Sequence, residues 1–352
     1  MVTARIAGHG HALPAAVDNA AVWDEFFSAH YNGNRTAERI WRNTGIKTRH
    51  AVVDPRVDDV TSWGTGARMQ RFAVEAMPLG KAAVAAALDD AGLAAEDVGL
   101  FAVVSCTGYA TPGLDILLAR DLGMSESVQR LHVGHMGCYA ALPGLGSISD
   151  FVVARGRPAV LLCVELASLH VQPATENLQQ MVAHALFADA AAAIVVVPTD
   201  DAADPRPGLD VIDIAARTDV SAVELMTWDV TDLGFRMGLS PRVPEVLERH
   251  VEPVITELLA HHDLAATDIA GWAVHPGGRR IVEVVGEQLQ LPETALAPSY
   301  DVLRDVGNCS SATVLLVIER LLADAPLAPG DHVVAMAFGP GLTLYAALLQ
   351  AR

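Results

Sequence analysis

A layered α/β fold is what this sequence predicts, on three grounds. Amphipathic stretches of helical length alternate with short, wholly apolar runs. Those runs are rich in valine, as are strands covered on both faces. Hydrophobic residues make up 51% of the chain and charged residues 19%, enough to bury a large core and too few charges for disorder. With 352 residues, at roughly 150 per domain, two domains or one large domain of two halves are expected.

The elements follow in order. Lys81–Ala94 reads as an Ala-rich helix ending near Gly92, Val98–Cys106 as a buried strand, and Leu114–Leu122 as a helix. Ala159–Glu165 and Ala190–Val197 read as core strands. Pro198–Leu209, with three prolines and three aspartates, reads as a linker that cannot pack into a core. The rhythm then resumes: helix Val251–His261, strand Ile269–Val274, helix Arg279–Leu291, helix Ser310–Leu322, and strands His332–Phe338 and Leu342–Leu348 around a tight FGPG turn. The two halves, 1–200 and 210–352, share this rhythm without a visible sequence repeat.

A formal net charge of −18 argues against a nucleic-acid surface and against anionic membranes. It leaves anionic substrates open, since a local arginine cluster can override the global sign. The cysteines are Cys106, Cys138, Cys163 and Cys309, with no C-x-x-C pair, and the N-terminal MVTARIAGHGHALP lacks a signal-peptide pattern. Reduced thiols in a cytoplasmic protein are expected. No uncharged apolar run reaches about 18 residues, so no transmembrane helix is expected.

Three residues stand out chemically. Cys138, in HMGCYAALPG, follows a strand-like segment and a glycine that permits a sharp turn, and it precedes a helical pattern. A cysteine there meets free helix N–H groups and the positive dipole end, which favour thiolate. His275, in WAVHPGG, is delivered by an apolar strand to a glycine turn, where α/β proteins place chemistry. Asn308, in GNCSSATVLL, precedes an apolar helix. Each has a plain alternative: a small core thiol, a hydrogen-bonded core histidine, a helix N-cap. Together they form a thiol, a base and a polar donor at strand or loop to helix junctions. They are separated by 137 and then 33 residues, so only a fold that brings the two halves face to face can unite them.

GCYA at Cys138, HPGG at His275, GNCSSAT at Asn308 and FGPGLT at Phe338–Thr343 resemble, in order and spacing, the type III polyketide synthases of the chalcone and stilbene synthase superfamily, bacterial type. TGYATPGLD (Thr107–Asp115) and HALFADAAAA (His184–Ala193) are more loosely similar, and the resemblance runs from about Arg39 to near the C-terminus. It implies a thiolase-like, five-layered αβαβα fold built from two duplicated βαβαβαββ halves. It also implies a homodimer, acyl-CoA starters and malonyl-CoA as substrates, no metal and no organic cofactor. Cys138 would carry the acyl chain, and His275 and Asn308 would donate to the thioester and enolate oxygens.

The resemblance further places Phe187 as a gate between the acyl tunnel and the active cavity, with Phe235 or Met237 as its partner. Cys106, Ser310, Gly339 and Gly341 match cavity-lining positions, and Thr111 matches a residue that reaches toward the neighbouring subunit. This chain departs from the family at Ala188-Asp189-Ala190, where Gly-Asp-Gly is usual. At the coenzyme A mouth Arg39 fits, but Thr36 and Asn43 stand where lysines are common. Arg35 and Arg42 are candidate replacements, and delivery by an acyl carrier protein is the alternative. Small residues at Ala167 and Ala183 leave room for a long starter. The rival readings are a β-ketoacyl synthase III-like enzyme making one condensation, a zinc site from His132, His135 and Cys138, and a silent partner protein on the same fold.

Overall fold

The computed structural model describes residues 2–199, 207–324 and 327–352. Its strands are β1 (Thr3–Ala12), β2 (Ala16–Asp18), β3 (Thr48–His50), β4 (Leu100–Ser105), β5 (Gln129–Gly134), β6 (Ala159–Leu166), β7 (Asp189–Thr199), β8 (Leu209–Thr218), β9 (Met226–Thr231), β10 (Gly234–Leu239), β11 (Ile269–Val274), β12 (His332–Gly339) and β13 (Thr343–Ala351). Of the expected linker, residues 200–206 lie outside the described residues; its ends close β7 and open β8.

Nine strands join in the order β11-β12-β13-β8-β1-β7-β6-β4-β5. Read outward from the β1–β8 seam, one topology appears twice. β1 runs antiparallel to β7, β7 antiparallel to β6, and β6 parallel to β4. Likewise β8 runs antiparallel to β13, β13 antiparallel to β12, and β12 parallel to β11. The first half adds β5 at its edge; the second has no counterpart among the described residues. The duplication equates the ends of β4 and β11, and it equates the entries to helices Ala141–Arg155 and Ala312–Asp324. Those four places hold Cys106, His275, Cys138 and Asn308.

Strand periodicity builds the layers, because successive side chains face opposite sides. Ala102 and Val104 of β4 turn inward to Leu142, Leu145 and Ile148, in a core shared with Val314 and Val317 of the other central helix. Phe101 and Val103 turn outward to the helix Thr65–Asp90. In the second half Val274, Val334 and Met336 face Val251, Ile255 and Leu258 of the helix Val243–Ala260. The order from outside to outside is αβαβα, with the two central helices shared by both halves.

Most elements lie where the sequence places them; Leu114–Leu122 and Ile269–Val274 coincide. The helix expected from Lys81 is the second part of a 26-residue helix, Thr65–Asp90. Its first turns bury Arg68, Phe72, Ala76 and Gly80, a four-residue stripe in which a cation and two small residues hide the apolar period. Among the described residues no helix is long and apolar enough to cross a membrane.

The seam is electrostatic as well as hydrogen-bonded. Arg5 Nε donates to Asp210 Oδ1 at 2.7 Å, Arg352 Nε donates to Oδ2 at 2.6 Å, and Arg5 and Asp210 are 1% and 2% exposed. Removing one member of a buried pair strands the other charge at a cost of roughly 3–5 kcal/mol. Asp210→Ala is therefore expected to lose about that much stability in urea unfolding, and Lys81→Ala, at an exposed position, under about 0.5 kcal/mol.

Candidate active site

Cys138 opens the turn Cys138–Ala140 between β5 and the helix Ala141–Arg155. Two close approaches set its place. Gly137 has φ +82°, and a Cβ there would sit 2.5 Å from Pro340 Cδ. A Cβ on Gly339 would sit 2.6 Å from the Tyr139 ring and 3.3 Å from the Cys138 nitrogen. The Gly339–Gly341 turn of the second half is thus pressed onto the Cys138 turn in the first. Gly341, at φ +130°, has its own steric need, since a Cβ would meet Thr343 Oγ1 at 2.4 Å.

His275 follows β11, and its backbone N–H donates to Met336 O at 2.8 Å. Both ring nitrogens are buried, and neither meets a hydrogen-bonding partner among the described residues. Asn308 is held from several sides. Its N–H donates to Leu186 O (3.1 Å), and its carbonyl accepts from Ala188 N–H (2.9 Å). Its Oδ1 accepts from Ser310 N–H (2.9 Å), and its Nδ2 donates to Gly277 O (3.3 Å). The helix begins only at Ala312, so Asn308 makes an Asx turn rather than an N-cap.

Cys138, His275 and Asn308 line one cavity of about 720 Å³. Its walls are mostly apolar, including Ile40, Val182, Leu239, Leu247, Ile281 and Phe338, and Thr36, exposed Arg39 and Arg280 also line it. Arg280 was not anticipated from the sequence. It is engaged with Glu287 (2.7 Å) and Glu248 (3.3 Å), and Arg42 pairs with Glu38 (2.9 Å), which leaves Arg39 as the cation of this wall without a carboxylate contact among the described pairs.

On its other side Cys138 faces a small void of about 20 Å³ with Cys106, Ser310, Ala167 and Trp228. Phe187 and Met237 line both spaces and also a third void of about 60 Å³ behind them, beside Ala183. Of the two β10 candidates, Met237 is thus the one that lies with Phe187 at Cys138. Phe235 corrects the expectation: it is fully buried, lines only the rear void, and stacks on His170 at 4.6 Å and 9°. The two residues share one face of β10, so alternation alone cannot say which end of the strand meets the cysteine. Thr111 is exposed and lines none of these spaces in the single chain. His132, His135 and Cys138 do not gather: among the described residues no three His, Cys, Asp or Glu side chains are placed to hold a metal.

The Ala188-Asp189-Ala190 departure has a structural answer. Asp189 is buried and accepts from Val52 N–H (2.8 Å), Ser168 N–H (2.8 Å) and Ser168 Oγ–H (2.5 Å). Ala188 Cβ packs where a side chain on Gly307 would come within 3.0 Å, so the glycine opposite makes room for the alanine. Glu165, the penultimate residue of β6, is a further buried residue that sequence reasoning passed over. Its carboxylate accepts from Cys106 N–H (3.0 Å), Thr107 Oγ–H (2.7 Å) and Ser311 Oγ–H (2.5 Å), and Cys106 Sγ lies 3.3 Å from Ser310 Oγ. A charged residue closing an otherwise apolar strand was the signal available.

Burial dominates the electrostatics. It pushes the Cys138 thiol up to about 12, against the pull of a hydrogen bond from Ser310, and it holds His275 down to about 3. The helix entry expected to favour thiolate is present, but desolvation outweighs it. Taken separately, both groups are neutral near pH 7.

Comparison with known proteins gives the family. Residues 2–201 match the N-terminal domain, and residues 216–351 the C-terminal domain, of the chalcone and stilbene synthases. The chain belongs to that family, the type III polyketide synthases, which are decarboxylating, condensing acyltransferases on the thiolase-like fold. It is 36% identical over 318 residues to a 1,3,6,8-tetrahydroxynaphthalene synthase of Streptomyces peucetius subsp. caesius, covering 89% of this chain and 82% of that one. It is 32% identical over 321 residues to an alpha-pyrone synthesis polyketide synthase-like protein of Mycobacterium tuberculosis, covering 87% and 80%. The crystal structure of PKS-I from the brown alga Ectocarpus siliculosus superposes with a TM-score of 0.93 at 30% identity, covering 100% and 99% of the two chains.

Gly339→Ala puts a methyl group against Tyr139 and the Cys138 amide. Such overpacking costs roughly 1–3 kcal/mol. A lower melting temperature and a turnover reduced about tenfold or more are expected, measured by thermal unfolding and product formation.

Proposed function

We propose that the enzyme primes Cys138 with an apolar acyl starter and extends it with malonyl units to an alkylpyrone or phenolic product. The observation that carries this reading is the convergence of a thiol, an unpartnered imidazole and a fixed carboxamide at one deep, apolar cavity. Aliphatic walls and the small Ala167 and Ala183 favour a fatty acyl starter over an aromatic acid, and hence a pyrone.

In the proposed sequence the Cys138 thiolate attacks the starter thioester and expels coenzyme A as its thiol. Malonyl-CoA then loses CO2, leaving the enolate of acetyl-CoA. Its carbon attacks the Cys138 thioester, frees the cysteine thiolate and yields a β-ketoacyl-CoA two carbons longer, which reloads for the next round. His275 and Asn308 Nδ2 donate to the enolate and thioester oxygens in turn; such donors are worth roughly 10²–10³-fold each. A proton passed from Cys138 to His275 makes an opposite-charge pair whose attraction, strong in a dry cavity, offsets what burial costs each ion alone. The thioester already activates the α-carbon, so the reading needs no metal or organic cofactor.

Arg39 at the wall would hold the coenzyme A phosphates, or the acidic arm of a carrier protein. A homodimer is part of the proposal: β5 is an unpaired sheet edge, and exposed Tyr109, Ile116 and Leu131 lie on or near it.

Mass spectrometry of products from malonyl-CoA with short, aromatic and long acyl-CoA starters tests the reading. Pyrones or phenols spaced by two carbons are expected, best from long chains. A single β-ketoacyl product would replace it with one-condensation chemistry. Cys138→Ala is expected to abolish product while retaining the fold, and His275→Ala and Asn308→Ala each to slow malonyl decarboxylation by about 10²-fold. The ion pair predicts that iodoacetamide alkylation of Cys138, followed by peptide mass spectrometry, varies little from pH 6.5 to 9. In His275→Ala the thiol reverts to its burial-raised pKa, and the rate should climb about tenfold per pH unit; a wild-type profile of that steepness would sink the pair.

A further inference from the structure

Arg49 of β3 is a buried cation spent on backbone. Its Nε and Nη2 donate to Asn19 Oδ1 at 2.9 and 2.6 Å. Nη1 donates to His184 O (2.8 Å) and Phe187 O (3.2 Å), and Nη2 donates to Ala185 O (2.6 Å). The guanidinium lies 4.6 Å above the Trp41 ring, whose Nε1–H in turn donates to Asn19 O at 2.8 Å. Burial lowers its pKa only to about 10, so it stays charged at neutral pH.

The three carbonyls end the helix Leu178–Leu186, where orphan acceptors and the negative dipole end collect. The next residues are the gate and the donor's anchor. Phe187 lines the cavity at Cys138. Leu186 O and Ala188 N–H bracket the backbone of Asn308 at 3.1 and 2.9 Å. One rigid fork therefore fixes the segment 184–188, and through it both Phe187 and Asn308. Arg49 itself lines neither space that holds Cys138.

We propose that Arg49 is a positioning residue whose planar fork, oriented by Asn19 and Trp41, sets Phe187 and Asn308 against Cys138 for decarboxylation and condensation. The inference rests on the reading of Phe187 and Asn308 above. A lysine keeps the charge but cannot hold three carbonyls and a carboxamide in one plane.

The test compares wild type, Arg49→Lys and Asn308→Ala, each normalised to Cys138 titrated by iodoacetamide. For Arg49→Lys, malonyl decarboxylation and product per titrated thiol should fall about tenfold or more, and by more than starter loading does. A lower melting temperature with wild-type decarboxylation per titrated thiol would overturn the inference, leaving Arg49 a purely structural clamp. Should Arg49→Lys fail to fold, Asn19→Ala keeps the cation but removes the oxygen that orients it. A fall in decarboxylation per thiol then supports positioning, and the wild-type rate overturns it. Asn308→Ala separates the two failures: if it decarboxylates normally, the underlying reading falls and takes this inference with it. If it is impaired while the Arg49 variant is not, only the positioning role falls.

Discussion

The contact between two glycine turns, one from each half of the chain, is the constraint on which the site depends. Gly137 and Gly339 leave no room for side chains because Pro340 and Tyr139 occupy it. That close packing puts the cysteine of the first half beside elements of the second. The duplicated topology supplies matching sites at strand ends and helix entries, and each half fills them differently: Cys106 and Cys138 in one, His275 and Asn308 in the other. A single half holds either the thiol or the imidazole and carboxamide, so the site belongs to the seam between halves, where Arg5 of β1, Asp210 of β8 and Arg352 tie the two central strands together.

Closeness alone does not make a nucleophile. The same burial that excludes water from the cavity drives Cys138 and His275 toward their neutral forms. In the proposed reading two unfavourable ions become tolerable only as a pair, and an imidazole with no hydrogen-bonding partner among the described residues is free to serve the thiol or the substrate oxygen. Glu165 sits nearby with its acceptors occupied by Cys106, Thr107 and Ser311. Burial raises its pKa as well, which limits the negative charge it brings against a thiolate.

The site was legible where local backbone chemistry and residue type coincide: glycine beside a cysteine, histidine or asparagine at the end of an apolar strand or before an apolar helix. The alternating rhythm likewise gave the layers. What stayed hidden is what three-dimensional register decides. Phe235 and Met237 carry the same pattern on one face of one strand, and only the hairpin's docking selects Met237. Helix side chains do that docking, with Gln180 donating to Met237 O and Gln179 accepting from Leu239 N–H at 2.9 Å. Arg280 and Glu165 read as ordinary charged residues until the fold turns one into the cavity wall and the other into the core. The first turns of Thr65–Asp90 were missed because a buried arginine, Arg68, spends its guanidinium on the carbonyls of Val60, Trp63, Leu169 and Val171 and so breaks the apolar period.

The same helix Leu178–Leu186 also ties the gate to the rest of the machinery. Its glutamines hold the strand of Met237, its C-terminal end carries Phe187, and the segment beyond brackets Asn308. The residues that divide the large cavity from the small void at Cys138 are thus fixed to the residue that is proposed to stabilise the enolate. Small shifts of this helix would alter chamber shape and donor geometry together. The void beside the thiol is far smaller than the outer cavity that Cys138 also lines, about 20 against 720 Å³, so in the proposed reading a growing chain has its room on the outer side, and the inner side opens only where Phe187, Met237 or Trp228 yields space. The shape of both spaces comes from side chains on separate elements, Phe187 after one helix, Met237 and Trp228 on two strands, so no short motif encodes it.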